Sequence, residues 1–221
     1  MKIYKFLSIL LIIIFIFLLP TFIQKFVNIT KIECKTQFGE CKQQFQIGNY
    51  FVVKKQINEI LSKDITVNSF SFKYKLPGIV KIETNIKQVK FAIKNSSNKF
   101  YLIDKDGLVI DIQPESPVLS LYFDNADYNL GDKVPENIFF SLKLIDKINW
   151  LYAIDTVSFD NDFIKVNLKQ NKIVYLPIEG DIDLLSGSLR LIFSRLNDGT
   201  EGIRMEDVRE IDLRYKNVVL R

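Results

Sequence analysis

Apolar and polar positions alternate with a period of two along much of the chain and shift to helical spacing in three places. Asn28–Cys34 (NITKIEC) alternates and predicts a short strand. From Asn49, a predicted N-cap, Phe51, Val52, Ile57, Ile60 and Leu61 fall on a helical stripe. Two period-two runs follow, NSFSFKYK and VKIETNIKQVKFAIK, separated by Leu76-Pro77-Gly78, which marks a turn. FYLIDKDGLVIDI predicts a hairpin at Asp106-Gly107, and residues 127–135 are polar and loop-like. Ile138, Leu142, Ile145 and Ile148 define a second helix over Glu136–Trp150, and TVSF, FIKVNL and KIVYLP three further strands. Ile182–Leu196 returns to helical spacing before VREIDLRY and VVLR. Strands outnumber helices, so the expected fold is α+β, with a mainly antiparallel β domain and flanking helices.

One segment fits neither period. Phe6–Gln24 is uncharged over 19 residues, enough to rise about 28 Å as a helix, close to the thickness of a bilayer core. No small residues follow it to make a signal-peptidase site, since the first glycine is Gly39 and the first alanine Ala92. The expectation is an uncleaved transmembrane signal-anchor. Lys2 and Lys5 precede it, which keeps the N-terminus cytoplasmic and places the rest outside. Three parts follow: residues 1–27 as tail and anchor, 28–95 as a small domain, and 96–221 as a β domain that begins at the polar loop Asn95-Ser96-Ser97-Asn98.

The 221 residues are 48% hydrophobic and 25% charged, enough for a core and too polar for a polytopic membrane protein. The net charge of +4 is largely Lys2, Lys5 and Lys25; the remainder has 27 basic against 26 acidic residues, which argues against nucleic acid as a partner. Histidine is absent, which excludes Ser-His-Asp and Cys-His catalysis within the chain and His-ligated metals. Cys34 and Cys41 are the only cysteines; outside the cell they could bridge, while the alternative is a reduced pair with one thiol packed in a strand. Two thiolates are half of a zinc shell, so no metal is expected.

Catalytic patterns fail on inspection. Asp104, Asp106 and Glu115 match three positions of a calcium loop, but Val109 stands where glycine is required. Ser96-Ser97-Asn98-Lys99 spells S-x-x-K with no K-T-G after it. No phosphate-cradling glycine pattern occurs, and the scattered aspartates show no distinguished pair. The expectation is a protein without catalysis, cofactor or small-molecule substrate; a carboxylate-dependent envelope hydrolase is the enzymatic alternative.

Three strings carry a resemblance: Tyr74-Lys75-Leu76-Pro77-Gly78-Ile79-Val80-Lys81-Ile82, Tyr101-Leu102-Ile103-Asp104-Lys105-Asp106-Gly107-Leu108-Val109, and Glu210-Ile211-Asp212-Leu213-Arg214-Tyr215. In this order behind an apolar anchor, the chain resembles the FtsQ/DivIB family of bacterial cell-division proteins over essentially its whole length. It departs at Ile86–Lys90, where that family often has an acidic residue and a proline. The resemblance implies a POTRA-like domain at 28–95, a β domain of that family's type at 96–221, and a single-pass plasma-membrane protein at the division septum. It implies a non-enzymatic scaffold that joins FtsB/DivIC-like and FtsL-like proteins, attached to the lipid bilayer through residues 6–24. It also implies a partner-binding segment at Arg214, Tyr215, Lys216, Asn217, Val218 and Val219, joined by strand addition. Alternation puts Ile211, Leu213 and Tyr215 on one face, so Tyr215 could instead cap the core. The alternative function is a membrane-anchored POTRA-type binding module of another envelope-assembly or secretion system.

Overall fold

The computed structural model describes residues 28–160, 162–169, 171–199 and 204–221. They form two compact units that divide between Lys87 and Gln88.

The first unit is a four-stranded sheet and a two-stranded ladder with one helix. Strands β1 (Asn28–Ile29) and β4 (Gly48–Asn49) pair in a short ladder. Strands β2 (Lys31–Thr36), β3 (Gly39–Glu40), β5 (Val67–Lys75) and β6 (Ile79–Ile86) form a sheet in the order β3-β2-β6-β5, with β2 and β6 parallel. Helix α1 (Tyr50–Lys63) starts where Asn49 accepts the Phe51 amide at 3.0 Å. It buries Val53, Ile57 and Leu61, spaced four residues apart, against Ile29, Val80 and Ile82. The expected stripe is therefore out of phase by one position at its start: Phe51 and Val52 are exposed. Gly78 has φ +66, and a Cβ there would stand 2.7 Å from the Asn28 carbonyl oxygen, so only glycine lets the β5–β6 turn meet β1. Cys34 and Cys41 are joined in a disulfide, with Cα atoms 5.4 Å apart.

The second unit is a nine-stranded sheet with two helices. Its strands are β7 (Phe91–Lys94), β8 (Phe100–Ile103), β9 (Val109–Gln113), β10 (Ser120–Tyr122), β11 (Ile154–Phe159), β12 (Ile164–Leu168), β13 (Lys172–Leu176), β14 (Glu210–Asp212) and β15 (Val219–Leu220). The order is β15-β14-β13-β12-β11-β10-β7-β8-β9. Helix α2 (Glu136–Leu151) connects β10 to β11 and helix α3 (Ile182–Asp198) connects β13 to β14. Asp181 caps α3 by accepting the Asp183 and Leu184 amides, and Gly199 ends it at φ 62. One core joins the sheet to both helices through Ile93, Leu121, Leu144, Ile148, Val166, Val174, Leu189 and Ile211.

The expected fold class needs correction. The class α+β remains, but the described residues contain three α-helices and a single 3₁₀ turn, Met205–Asp207, and no helix is long and apolar enough to cross a membrane. The run Phe6–Gln24, where the transmembrane helix was expected, lies outside the described residues. The second unit is also a mixed sheet, since β10 pairs parallel to both β7 and β11, and β13 parallel to β14. For β10–β11 and β13–β14 the cause is topological. A helix between two adjacent strands carries the chain back to the starting end of the sheet, so the strands it joins run parallel.

The division into units falls eight residues before the expected boundary. Phe91–Lys94 continues the alternation of β6, yet hydrogen-bonds between β8 and β10. The polar stretch after β10 is stitched to this region. Asn95 and Tyr101 both donate to the Ala126 carbonyl, at 3.1 and 3.2 Å, and the Tyr128 ring meets Tyr101 edge-on. Burial pushes the Tyr128 hydroxyl up to about 12.

Candidate partner-binding surface

The end of the nine-stranded sheet is built by an unusual buried lysine. Lys172 opens β13, and its ammonium donates to the carbonyls of Met205 (2.6 Å) and Val208. One acceptor opens the single 3₁₀ turn Met205–Asp207 and the other follows it, so both are satisfied and the chain is steered into β14 beside β13. The Ile173 amide donating to the Arg209 carbonyl at 2.9 Å continues that seam.

From β14 the chain turns and returns as β15. Leu213 leaves the strand but donates its amide to Tyr175 at 2.9 Å, which buries its side chain. The Asp212 carboxylate, 1% exposed as a residue, receives the Arg214 Nε at 2.9 Å and a terminal guanidinium nitrogen at 2.7 Å. It also receives the Arg214 backbone amide at 3.1 Å. Those bonds, with the side-chain pair foremost, hold the Asp212 carboxyl below the usual carboxylate range although burial opposes it. Asp212 in turn raises the Arg214 guanidinium above its ordinary value. The guanidinium carbon lies 4.8, 5.2 and 5.6 Å from the ring centres of Phe163, Tyr175 and Tyr215.

The fixed Arg214 presents the rest of the turn. Tyr215 is 57% exposed, Lys216 and Asn217 are exposed, Val218 is 39% exposed, and Val219 is half-buried in β15. The six residues expected at a partner surface thus lie on one turn and the edge strand after it. Tyr215 does not cap the core. Strand parity ends at Asp212, so the phase that buries Ile211 does not extend to residue 215.

β15 is the outermost strand of its sheet. Glu210 and Arg221 exchange both backbone hydrogen bonds, at 2.9 and 3.0 Å. Leu220, the next residue, therefore directs its own N–H and C=O away from β14. The resulting surface has a strand edge, an exposed aromatic ring and a lysine. Such a surface can receive an extended segment; it has no nucleophile with a base.

Sequence reasoning missed Asp212 and the aromatic setting of Arg214, because alternation only sets both residues on the face opposite Ile211 and Leu213. The Asp-Leu-Arg spacing is the one local signal, since i and i+2 share a face of a strand. Elsewhere, Asp104 is a turn residue whose carboxylate accepts the Asp106 and Leu108 amides, each at 2.9 Å. Among the described residues no group of three or more cysteine, aspartate and glutamate side chains could hold a metal ion. No protein-family model matches the chain, and no characterised protein matches it.

Proposed function

We propose that the chain is a non-enzymatic scaffold of the bacterial division septum, attached to the plasma membrane through residues 6–24 with its two units outside. The second unit binds FtsB/DivIC-like and FtsL-like proteins by adding a partner strand to β15. The observation that carries this reading is the open edge of β15 beside Tyr215, held in place by the Asp212–Arg214 pair. Backbone bonds to the edge supply affinity, and the exposed ring and aliphatic side chains supply selectivity.

The test combines place and partner. A fluorescent fusion of the full chain gathers at the septum of dividing cells, and co-purification from the same cells returns the two division proteins. Leu220→Pro removes the outward N–H of β15 and abolishes that recovery while the fusion remains membrane-bound. Even membrane fluorescence with no division protein recovered would transfer the chain to another envelope-assembly system. Full recovery with Leu220→Pro would exclude strand addition at this edge.

A further inference from the structure

The first unit gathers exposed apolar side chains at one end, the end at which the chain arrives from its apolar N-terminal sequence. Asn28 and Ile29 pair with Asn49 and Gly48, which places the entry point beside the start of α1. The Leu76-Pro77-Gly78 turn closes on the same place, because Gly78 accepts the Thr30 and Lys31 amides at 2.8 and 3.2 Å. Tyr50 bridges the two, its ring 5.5 Å from Phe51 and 5.4 Å from Tyr74. Around this point Ile47, Phe51, Val52 and Leu76 are between 57% and 71% exposed.

The charge there is net positive. The segments that meet at this end, residues 28–32, 46–55 and 74–79, contain Lys31, Lys54, Lys55 and Lys75 and no acid. The adjoining acids Glu33 and Glu59 pair with Lys31 and Lys55, so the excess positive charge at this end lies with Lys54 and Lys75. Apolar and aromatic side chains with a cationic surround suit the boundary between acyl chains and anionic headgroups. Proximity supports the same occupant. Gln24 ends the uncharged run four residues before Asn28, so the two are separated by at most about 14 Å of extended chain.

We infer that this end of the first unit rests on the lipid surface, with Phe51, Val52, Ile47 and Leu76 in the headgroup layer and Lys54 and Lys75 against anionic lipid. The inference depends on the proposed membrane attachment through residues 6–24. It adds that the first unit is a lipid contact in its own right, not a body tethered at a distance.

The test uses the full chain in phosphatidylcholine vesicles containing phosphatidylglycerol, with acyl chains brominated near the headgroup. The sequence has a single tryptophan, so Trp150→Phe gives a silent background. Phe51→Trp then reports on the proposed contact. Phe38→Trp is the control, an exposed aromatic beyond the far end of β2, roughly 17 Å along the strand from Lys31. The expected result is flotation of both variants with the vesicles and several-fold stronger bromine quenching of Phe51→Trp. Flotation with equal quenching overturns the inference and leaves the attachment standing. Chain that stays behind when the vesicles float overturns both. Shielding of Phe51→Trp that grows with protein concentration in lipid-free detergent overturns the inference in favour of a second copy.

Discussion

Asp212 and Arg214 are neighbours on the same side of a strand end, and the arginine closes back on the carboxylate with two parallel bonds of 2.9 and 2.7 Å. Fork-on-carboxylate pairing fixes the guanidinium plane as well as its position. The plane is what lets Phe163, Tyr175 and Tyr215 collect around it. One salt bridge therefore sets the shape of a turn whose other side chains point outward.

Tyr215→Ala separates binding from folding. The ring is mostly exposed and meets the Arg214 guanidinium at 5.6 Å, so thermal stability should fall by less than about 1 kcal/mol. The partner complex should lose on the order of 2 kcal/mol, as when an interface aromatic is truncated. Calorimetry of unfolding and of binding on the same preparation reads both; a variant that unfolds outright would make Tyr215 structural.

Asp212→Asn should cost about 2 kcal/mol at neutral pH, since it removes a charge-assisted pair at a buried position. The pH dependence has a defined sign. The folded carboxyl titrates below its unfolded value, so its contribution is complete above about pH 4 and is lost as pH falls through the depressed folded value. The stability gap between parent and variant should close with acidification. A gap that persists unchanged to low pH would assign it to packing instead.

Lys172→Met should loosen the sheet end without altering the first unit. Its ammonium is the donor to Met205 and Val208, and losing it leaves two carbonyls short of a partner at a cost of about 2 kcal/mol. Hydrogen exchange should accelerate at residues 204–221 and remain as before in β5 and β6. Uniform acceleration would show that the two units unfold together.

The Cys34–Cys41 disulfide closes a short loop around the β2–β3 turn, worth about 2.5 kcal/mol on the chain-entropy account. Native oxidised chain should yield no thiol to alkylation, and reduction should lower the first unit's unfolding midpoint while leaving the second's unchanged. Two thiols per native oxidised chain would refute the bridge.

Much of the fold was legible where one period persisted. The three helices, the β8–β9 hairpin and β11 to β13 follow from spacing and turn residues. β10 was not, because Ser-Leu-Tyr is too short to show a period and its place is fixed by β7 and β11 on either side. Parallel pairing was also missed, as side-chain alternation is the same in either strand direction. Val52 and Val53 are equal in hydropathy, so the phase of α1 was settled by which one met Ile29 and Val80. At the candidate surface the segment 214–219 came from the resemblance alone, and the packing of the residues within it was not legible. Alternation extrapolated through Tyr215 when the strand had already ended, and it hid Asp212 on a face it never shows to solvent.

The position of β7 has a practical consequence. Four residues from the start of the second unit form the seam between β8 and β10, antiparallel to one and parallel to the other. A fragment cut at the polar loop, beginning at residue 96, lacks that seam and leaves a vacant slot one strand wide in the middle of the sheet. The same β7 sequence carried by another molecule fits the slot, so such a fragment mixed with chains that retain residues 88–95 is set up for strand exchange between copies. Expression beginning at residue 88 keeps the strand in its own chain.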